Sequence, residues 1–158
     1  MATSNAFKIA VMPGDGIGIE VMDACLVVMD AVYKKVGGPA YKFQHVPGGA
    51  AHYRDHGTDL PEESFETAKN ADAILFGAMG LPDVRKEDGT EINPQLDLRF
   101  GLELYAGVRP VRVLPGAPTP LADPRAREID LVLIRENTEG LFADIRKPRH
   151  DNCIEVED

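Results

Sequence analysis

A short apolar run, Phe7–Met12, feeds directly into Pro13-Gly-Asp-Gly-Ile-Gly18 and then into a long helical stripe. No other stretch constrains the fold as tightly. The run is β-favouring and bounded by turn residues, so it reads as a buried strand. From Ile17 to Val36 apolar residues recur at 17, 21, 22, 25, 28, 29, 32, 33 and 36, which is the spacing of a helix face. Gly37-Gly38-Pro39 stops that helix. A strand, a glycine turn and a helix in this order predict an α/β fold with a largely parallel sheet.

The rest of the chain keeps the alternation. Tyr41–Val46 reads as a strand, and 49–56 and 61–70 as short helices, the second with Pro61 in its first turn and Glu62 and Glu63 near the positive end of its dipole. Ala73–Phe76 is a buried strand that opens into a loop at 77–82. Residues 83–95 form a polar loop, 96–104 a helix, and 105–114 an extended segment broken by Pro110. Four prolines without periodicity make 115–128 a linker or crossing loop. Ile129–Ile134 is a strongly apolar strand with Arg135 at its C-terminal end. The last seven residues, 152–158, read as a strand only beginning, so the chain reads as the first part of a longer protein.

Three glycines at 14, 16 and 18 invite comparison with the dinucleotide fingerprint G-x-G-x-x-G. The spacing here is G-x-G-x-G, so the third glycine comes one residue early for the close helix–strand contact of that motif. No carboxylate ends the strand at Tyr41–Val46 to hold a ribose, and no Walker A lysine follows. Two readings remain on spacing alone: a tight turn needing glycine dihedrals, or a different kind of site. Asp15 reads as an acceptor for backbone amides of its own turn, with a catalytic role as the alternative.

Bulk properties exclude several classes. A chain of 158 residues with 44% hydrophobic and 27% charged residues is long enough for a real core and has the balance of a soluble protein. A formal net charge of −9 argues against a general nucleic-acid or anionic-membrane binder. No apolar run is long enough to span a bilayer, and no secretory leader is visible. Cys25 and Cys153 form no metal-spaced pair. They read as free thiols in a reducing cytoplasm, with Cys25 a small core residue. His52 and His56 could share a helix face, but no third ligand follows, and two surface histidines are the better reading.

Three arginines carry the chemistry. Arg99 lies in Leu96-Asp-Leu-Arg-Phe100, Arg109 in Gly107-Val-Arg-Pro110, and Arg135 at the end of an apolar strand. An arginine ending a central strand points to the crevice where open α/β sheets bind ligands. Guanidinium groups grip carboxylates bidentately and keep their charge. Three converging would make a pocket for a small di- or tricarboxylate; taken one at a time, each reads equally as a salt-bridge residue of an acidic protein. Glu136 and Glu139 would then orient the arginine or sit at a dimer contact, with a role as catalytic carboxylates the alternative.

Four stretches, in order, give a more specific reading: VMPGDGIGIEV, ADAILFGAMGLP, LDLRFGLELYAGVRPVR and DLVLIRENTEGLF. Together they resemble the β-decarboxylating dehydrogenases, the isopropylmalate, isocitrate, homoisocitrate and tartrate/D-malate enzymes. The resemblance implies an α/β, isocitrate/isopropylmalate dehydrogenase-like fold that is not Rossmann and is incomplete in this chain. It implies a first, cofactor-side domain over 1–105 and the start of a substrate and dimerisation domain over 106–158. It implies oxidation of a D-malate-type 2-hydroxy acid with NAD or NADP and Mg²⁺ or Mn²⁺, the metal acting as a Lewis acid and its ligands lying beyond residue 158. Arg99, Arg109 and Arg135 match the family's carboxylate-binding arginines. Ile17 and Gly77, Ala78, Met79 and Gly80 match residues near the cofactor. The active protein would be a cytoplasmic homodimer, and residues 1–158 alone would be inactive.

Two details depart from or refine the pattern. Phe142 occupies the position of the family's proton-donating tyrosine, and a phenyl ring cannot be a general acid, so oxidation is expected while decarboxylation is in doubt. Ahead of Arg99, the substrate-selecting positions carry Asn93, Gln95 and Leu96, of which only Leu96 suits an apolar pocket. That favours a small polar substituent, as in tartrate or D-malate. The rival reading is a non-catalytic subunit or fragment that binds carboxylates or a partner without turnover; an unrelated Rossmann-like binder is weaker still.

Overall fold

A computed structural model of the protein describes residues 6–138. The chain divides into two compact units, Met1–Leu98 and Arg99–Asp158.

The first unit is built on a parallel three-stranded sheet. Its strands are β1 (Phe7–Met12), β2 (Tyr41–His45) and β3 (Ala73–Phe76), in the order β2-β1-β3. Phe7 pairs with Tyr41 on one side of β1, and Ile9 with Ala73 on the other. The central position of β1 explains its uninterrupted apolar run: residues 9–12 are buried, as a parallel strand covered on both faces must be. Ile9 and Val11 point to one face, where Met22, Leu26 and Leu75 complete a small core. Ala10 and Met12 point to the other and are fully buried. The right-handed strand–helix–strand links required by parallel pairing are α1 (Ile17–Val36) between β1 and β2, then α2 (Ala50–His56) and α3 (Glu62–Lys69) between β2 and β3.

The apolar stripe of α1 divides on folding. Met22 is buried and Cys25, Leu26 and Met29 are half-buried, whereas Ile17, Val21, Val28, Val32 and Val36 stay 52–72% exposed. The helix therefore carries a second apolar face that the first unit does not cover. Cys25 sits at the edge of the buried face and is not a fully buried core residue.

The sheet's C-terminal edge is unusually crowded with main chain. The turn after β1 and the loop after β3 meet with no side chain between them. A Cβ added at Gly77 would lie 1.9 Å from the Pro13 carbonyl oxygen, and one at Gly14 would lie 2.0 Å from the Ala78 carbonyl oxygen. Gly18, in the first turn of α1, is hemmed in by both carbonyls, at 2.5 and 2.6 Å from a hypothetical Cβ. So the early third glycine does provide a close approach, contrary to the expectation from its spacing. The helix begins at Ile17, which turns position 18 toward the two strand-end loops.

Helix α4 (Pro94–Gly101) begins two residues before the periodicity suggests, because Pro94 is well suited to a helix start. It ends when Glu103 takes φ 51°, with the Leu104 amide donating to the Arg99 carbonyl at 2.9 Å, the six-to-one bond of a Schellman end. The second unit holds β4 (Ala106–Arg112) and β5 (Asp130–Glu136), paired antiparallel with Gly107 opposite Arg135. Pro110 does not break β4. It lies in register with Val132, which a strand with one edge unpaired among the described residues allows because the missing N–H can face away from β5. The proline-rich linker holds a 3₁₀ turn at Pro124–Glu128, capped by the Asp123 carboxylate, which accepts from the Arg125 amide at 2.9 Å.

An ordinary helical glycine gains stability on replacement by alanine. Gly18→Ala is expected to do the reverse, lowering stability by about 1–3 kcal/mol through overpacking. A urea melt of the two proteins decides it, and a raised midpoint for the alanine variant would rule out the close contact.

Candidate functional site

In the first unit, Asp15 organises the loops at the sheet's C-terminal edge. The side chain is only 3% exposed. Its Oδ2 accepts from the Ala50 amide at 2.7 Å and from the Gly80 amide at 2.8 Å, and its Oδ1 from the Ala51 amide at 2.8 Å. A buried carboxylate must be compensated, and three main-chain N–H groups do so here. The sequence expectation was therefore right in kind but wrong in place: the amides belong to α2 and the loop after β3, not to Asp15's own turn. Gly49, at φ 112°, has no side chain to cap α2 and leaves that task to Asp15. A Cβ at Gly49 would come within 2.5 Å of the Asp15 carboxylate.

The expected cofactor residues gather around this knot. The Asp15 amide donates to the Ala78 carbonyl at 2.8 Å, so Gly77, Ala78, Met79 and Gly80 are tied to the turn bearing Ile17. Ile17 is 66% exposed. A Cβ at Gly80 would meet nothing within 4 Å, and one at Gly16 would meet only Leu81 at 3.9 Å. An exposed branched side chain beside bare backbone is a surface on which a flat ring can lie.

Asn93 immediately precedes α4, Gln95 and Leu96 lie in its first turn, and all three are half-buried. Gln95 Nε2 donates to Asn93 Oδ1 at 2.8 Å. Gln95 Oε1 is buried without a hydrogen-bond partner among the described residues. Such an acceptor is costly unless a ligand donor meets it. Arg99 follows Gln95 by one helical turn and is half-buried.

In the second unit, the ribbon places Arg109 and Arg135 on one face. Gly107 opposes Arg135 and Arg109 opposes Leu133, so the two arginines are diagonal neighbours, roughly 7–8 Å apart at the backbone. Arg135 Nε donates to Asn137 Oδ1 at 2.8 Å. Gly107 leaves room for that pair, since a Cβ there would lie 2.9 Å from Asn137 Nδ2. Neither Arg99 nor Arg109 has an ion-pair partner among the described residues. The Glu136 carboxylate accepts from the Thr138 amide and hydroxyl. One expectation is corrected: Arg135 does not end a central strand of the parallel sheet but lies in an antiparallel ribbon. Asn137 was missed as an orienting residue, although its position two residues after Arg135 signals it. Glu139, Phe142 and Cys153 lie outside the described residues.

The remaining polar clusters offer less. His52 and His56 stack with ring centroids 4.3 Å apart, each Nδ1 against a backbone carbonyl. Among the described residues no group of three or more His, Cys, Asp or Glu could hold a metal ion. Hydrogen bonds from the Arg54, Thr90 and Arg125 side chains hold the Asp55, Asp88 and Asp123 carboxyls below the usual carboxylate range, all at exposed positions. No helix among the described residues is long and apolar enough to cross a membrane.

The sequence and the fold agree with what the chain is similar to. The family model described as isocitrate/isopropylmalate dehydrogenase matches residues 8–157. A probable tartrate dehydrogenase/decarboxylase of Agrobacterium vitis is 39% identical over 137 residues, covering 87% of this chain and 38% of its own length. The decarboxylating D-malate dehydrogenase of Escherichia coli is 36% identical over 139 residues, with coverage of 87% and 38%. The crystal structure of isocitrate dehydrogenase from Methylococcus capsulatus superposes with a TM-score of 0.68 at 32% identity, covering 88% of this chain and 37% of that one. The chain thus spans little more than a third of the length of these relatives. By the matched residues and the shared fold, it belongs to the isocitrate/isopropylmalate dehydrogenase family.

Proposed function

We propose that the protein of which these residues form part oxidises a D-malate-type 2-hydroxy acid, and that tartrate or D-malate suits it better than isopropylmalate or isocitrate. The observation that carries this reading is the pair Arg109 and Arg135 on one ribbon face in a chain of formal net charge −9. Two arginines on one ribbon face offer two forks that suit a carboxylate. Asn137 fixes the Nε edge of Arg135, which limits the directions in which the fork can present itself. Arg99 would add a third contact. The names of relatives that act on tartrate and D-malate point the same way.

The residues present fit a nicotinamide cofactor at Ile17 and Gly77–Gly80, where an exposed isoleucine adjoins bare backbone. NAD or NADP supplies the hydride acceptor there, and a divalent metal supplies Lewis-acid assistance. The part of the described residues in this reading is to bind and orient the acid and to place the cofactor loop. The active form would be a homodimer, and the isolated chain of 158 residues would not turn over.

Assaying the complete protein with tartrate, D-malate, isopropylmalate and isocitrate, each with NAD and NADP, tests the reading. The expected order has tartrate or D-malate highest in kcat/KM; a preference for isocitrate or isopropylmalate would overturn it. Arg109→Lys keeps the charge but loses the fork, and Arg109 is exposed, so folding should be unchanged while kcat/KM falls on the order of tenfold to a hundredfold. An unaltered kcat/KM would remove Arg109 from the site. Because Phe142 cannot donate a proton, carbon dioxide release should lag behind reduced dinucleotide, and Phe142→Tyr should close the gap. Equal yields at equal rates in the unmodified protein would show that position 142 does not matter.

A further inference from the structure

We infer that Asp15 is a positioning residue for the dinucleotide, acting through the Gly80 amide to fix the loop after β3 against the turn that bears Ile17. This rests on the proposed placement of the cofactor at Ile17 and Gly77–Gly80.

Three observations carry it. First, Asp15 binds the loop after β3 from both of its ends: its amide donates to the Ala78 carbonyl and its Oδ2 accepts from the Gly80 amide, each at 2.8 Å. Two bonds to residues two apart fix the loop's direction as well as its distance. Second, the same oxygen also accepts from Ala50, and Oδ1 accepts from Ala51, so the carboxylate is anchored by α2 and cannot follow the loop if the loop moves. Third, Gly80 at φ 103° has open space where a side chain would be, so the face of its peptide away from Asp15 is exposed. A ligand laid on that face meets a peptide whose orientation the carboxylate has set. The immediate neighbours are main-chain donors, and no cation forms an ion pair with Asp15 among the described residues. An asparagine at 15 loses the charge, which weakens the bond to the Gly80 amide in either orientation: its NH₂ group opposes the Ala51 amide when placed at the Oδ1 site, and both the Ala50 and Gly80 amides when placed at the Oδ2 site.

The role differs from that of a merely structural carboxylate. A structural residue lowers the amount of folded enzyme and leaves the KM values of the folded fraction alone. A positioning residue changes the KM for the molecule it helps to place. In the complete protein, Asp15→Asn is expected to raise the KM for the dinucleotide by about tenfold, the scale of one lost charge-assisted hydrogen bond, with the KM for the hydroxy acid changed less than about twofold. Amide hydrogen exchange should quicken at Gly80 together with Ala50 and Ala51. Should that variant fail to fold, Asp15→Glu keeps the charge and moves the carboxylate by one methylene, and the same split between the two KM values is expected. Both KM values unchanged, or both raised in proportion, would overturn the inference while leaving the dehydrogenase reading in place. An unmodified protein without dinucleotide-dependent turnover of any of the four acids would instead bring down that reading, and this inference with it.

Discussion

The contact on which the first unit depends is one of main chain on main chain. Pro13 and Ala78, at the ends of neighbouring strands, bring their carbonyls so close to Gly77, Gly14 and Gly18 that no Cβ could intervene. Glycine at those places follows from proximity, and at Gly14 also from its φ of 84°. Main-chain groups packed this tightly need partners for every N–H and C=O. Asp15 supplies three acceptor contacts from one buried side chain, and its own amide serves Ala78. The short motif Gly14-Asp-Gly-Ile-Gly18 therefore starts a helix, closes a strand end and leaves Ile17 outward.

Much of this was legible in the sequence. The strands at Phe7–Met12 and Ala73–Phe76 and the helix at Ile17–Val36 follow from apolar period and glycine punctuation, because local pattern and tertiary burial agree there. Pro110 was misread as a break because propensity says nothing about which edge of a strand is free. The second apolar face of α1 was invisible for a related reason: a list of apolar positions does not say how many partners share them. In the site, Arg99, Arg109 and Arg135 could be found by residue type, yet pairing register alone puts Arg109 and Arg135 on the same face. The reach of Asp15 to residues 35 and 65 positions away could not be read from its neighbours in sequence.

The ribbon carries charged side chains on both of its faces. Its cross-strand pair Arg112 and Asp130, 3.6 Å apart, is exposed on both sides and contributes little beyond local neutrality. Arg109 and Arg135 lie on the opposite face among Val111, Leu131 and Leu133. Salt screens charges more than about 10 Å away, so two nearby cations outweigh a net negative total carried at longer range.

Helix α1 also has a bearing on colloidal behaviour. β-Branched residues are poor helix formers, and α1 carries many of them on the face left open. At its centre, Cys25-Leu-Val-Val-Met29 is a charge-free run with strong strand propensity. Exposed Asp23 and Asp30 bracket it. Like charges at both ends of such a run act as gatekeepers, opposing in-register stacking of one copy on another for as long as the outer face of the helix is bare.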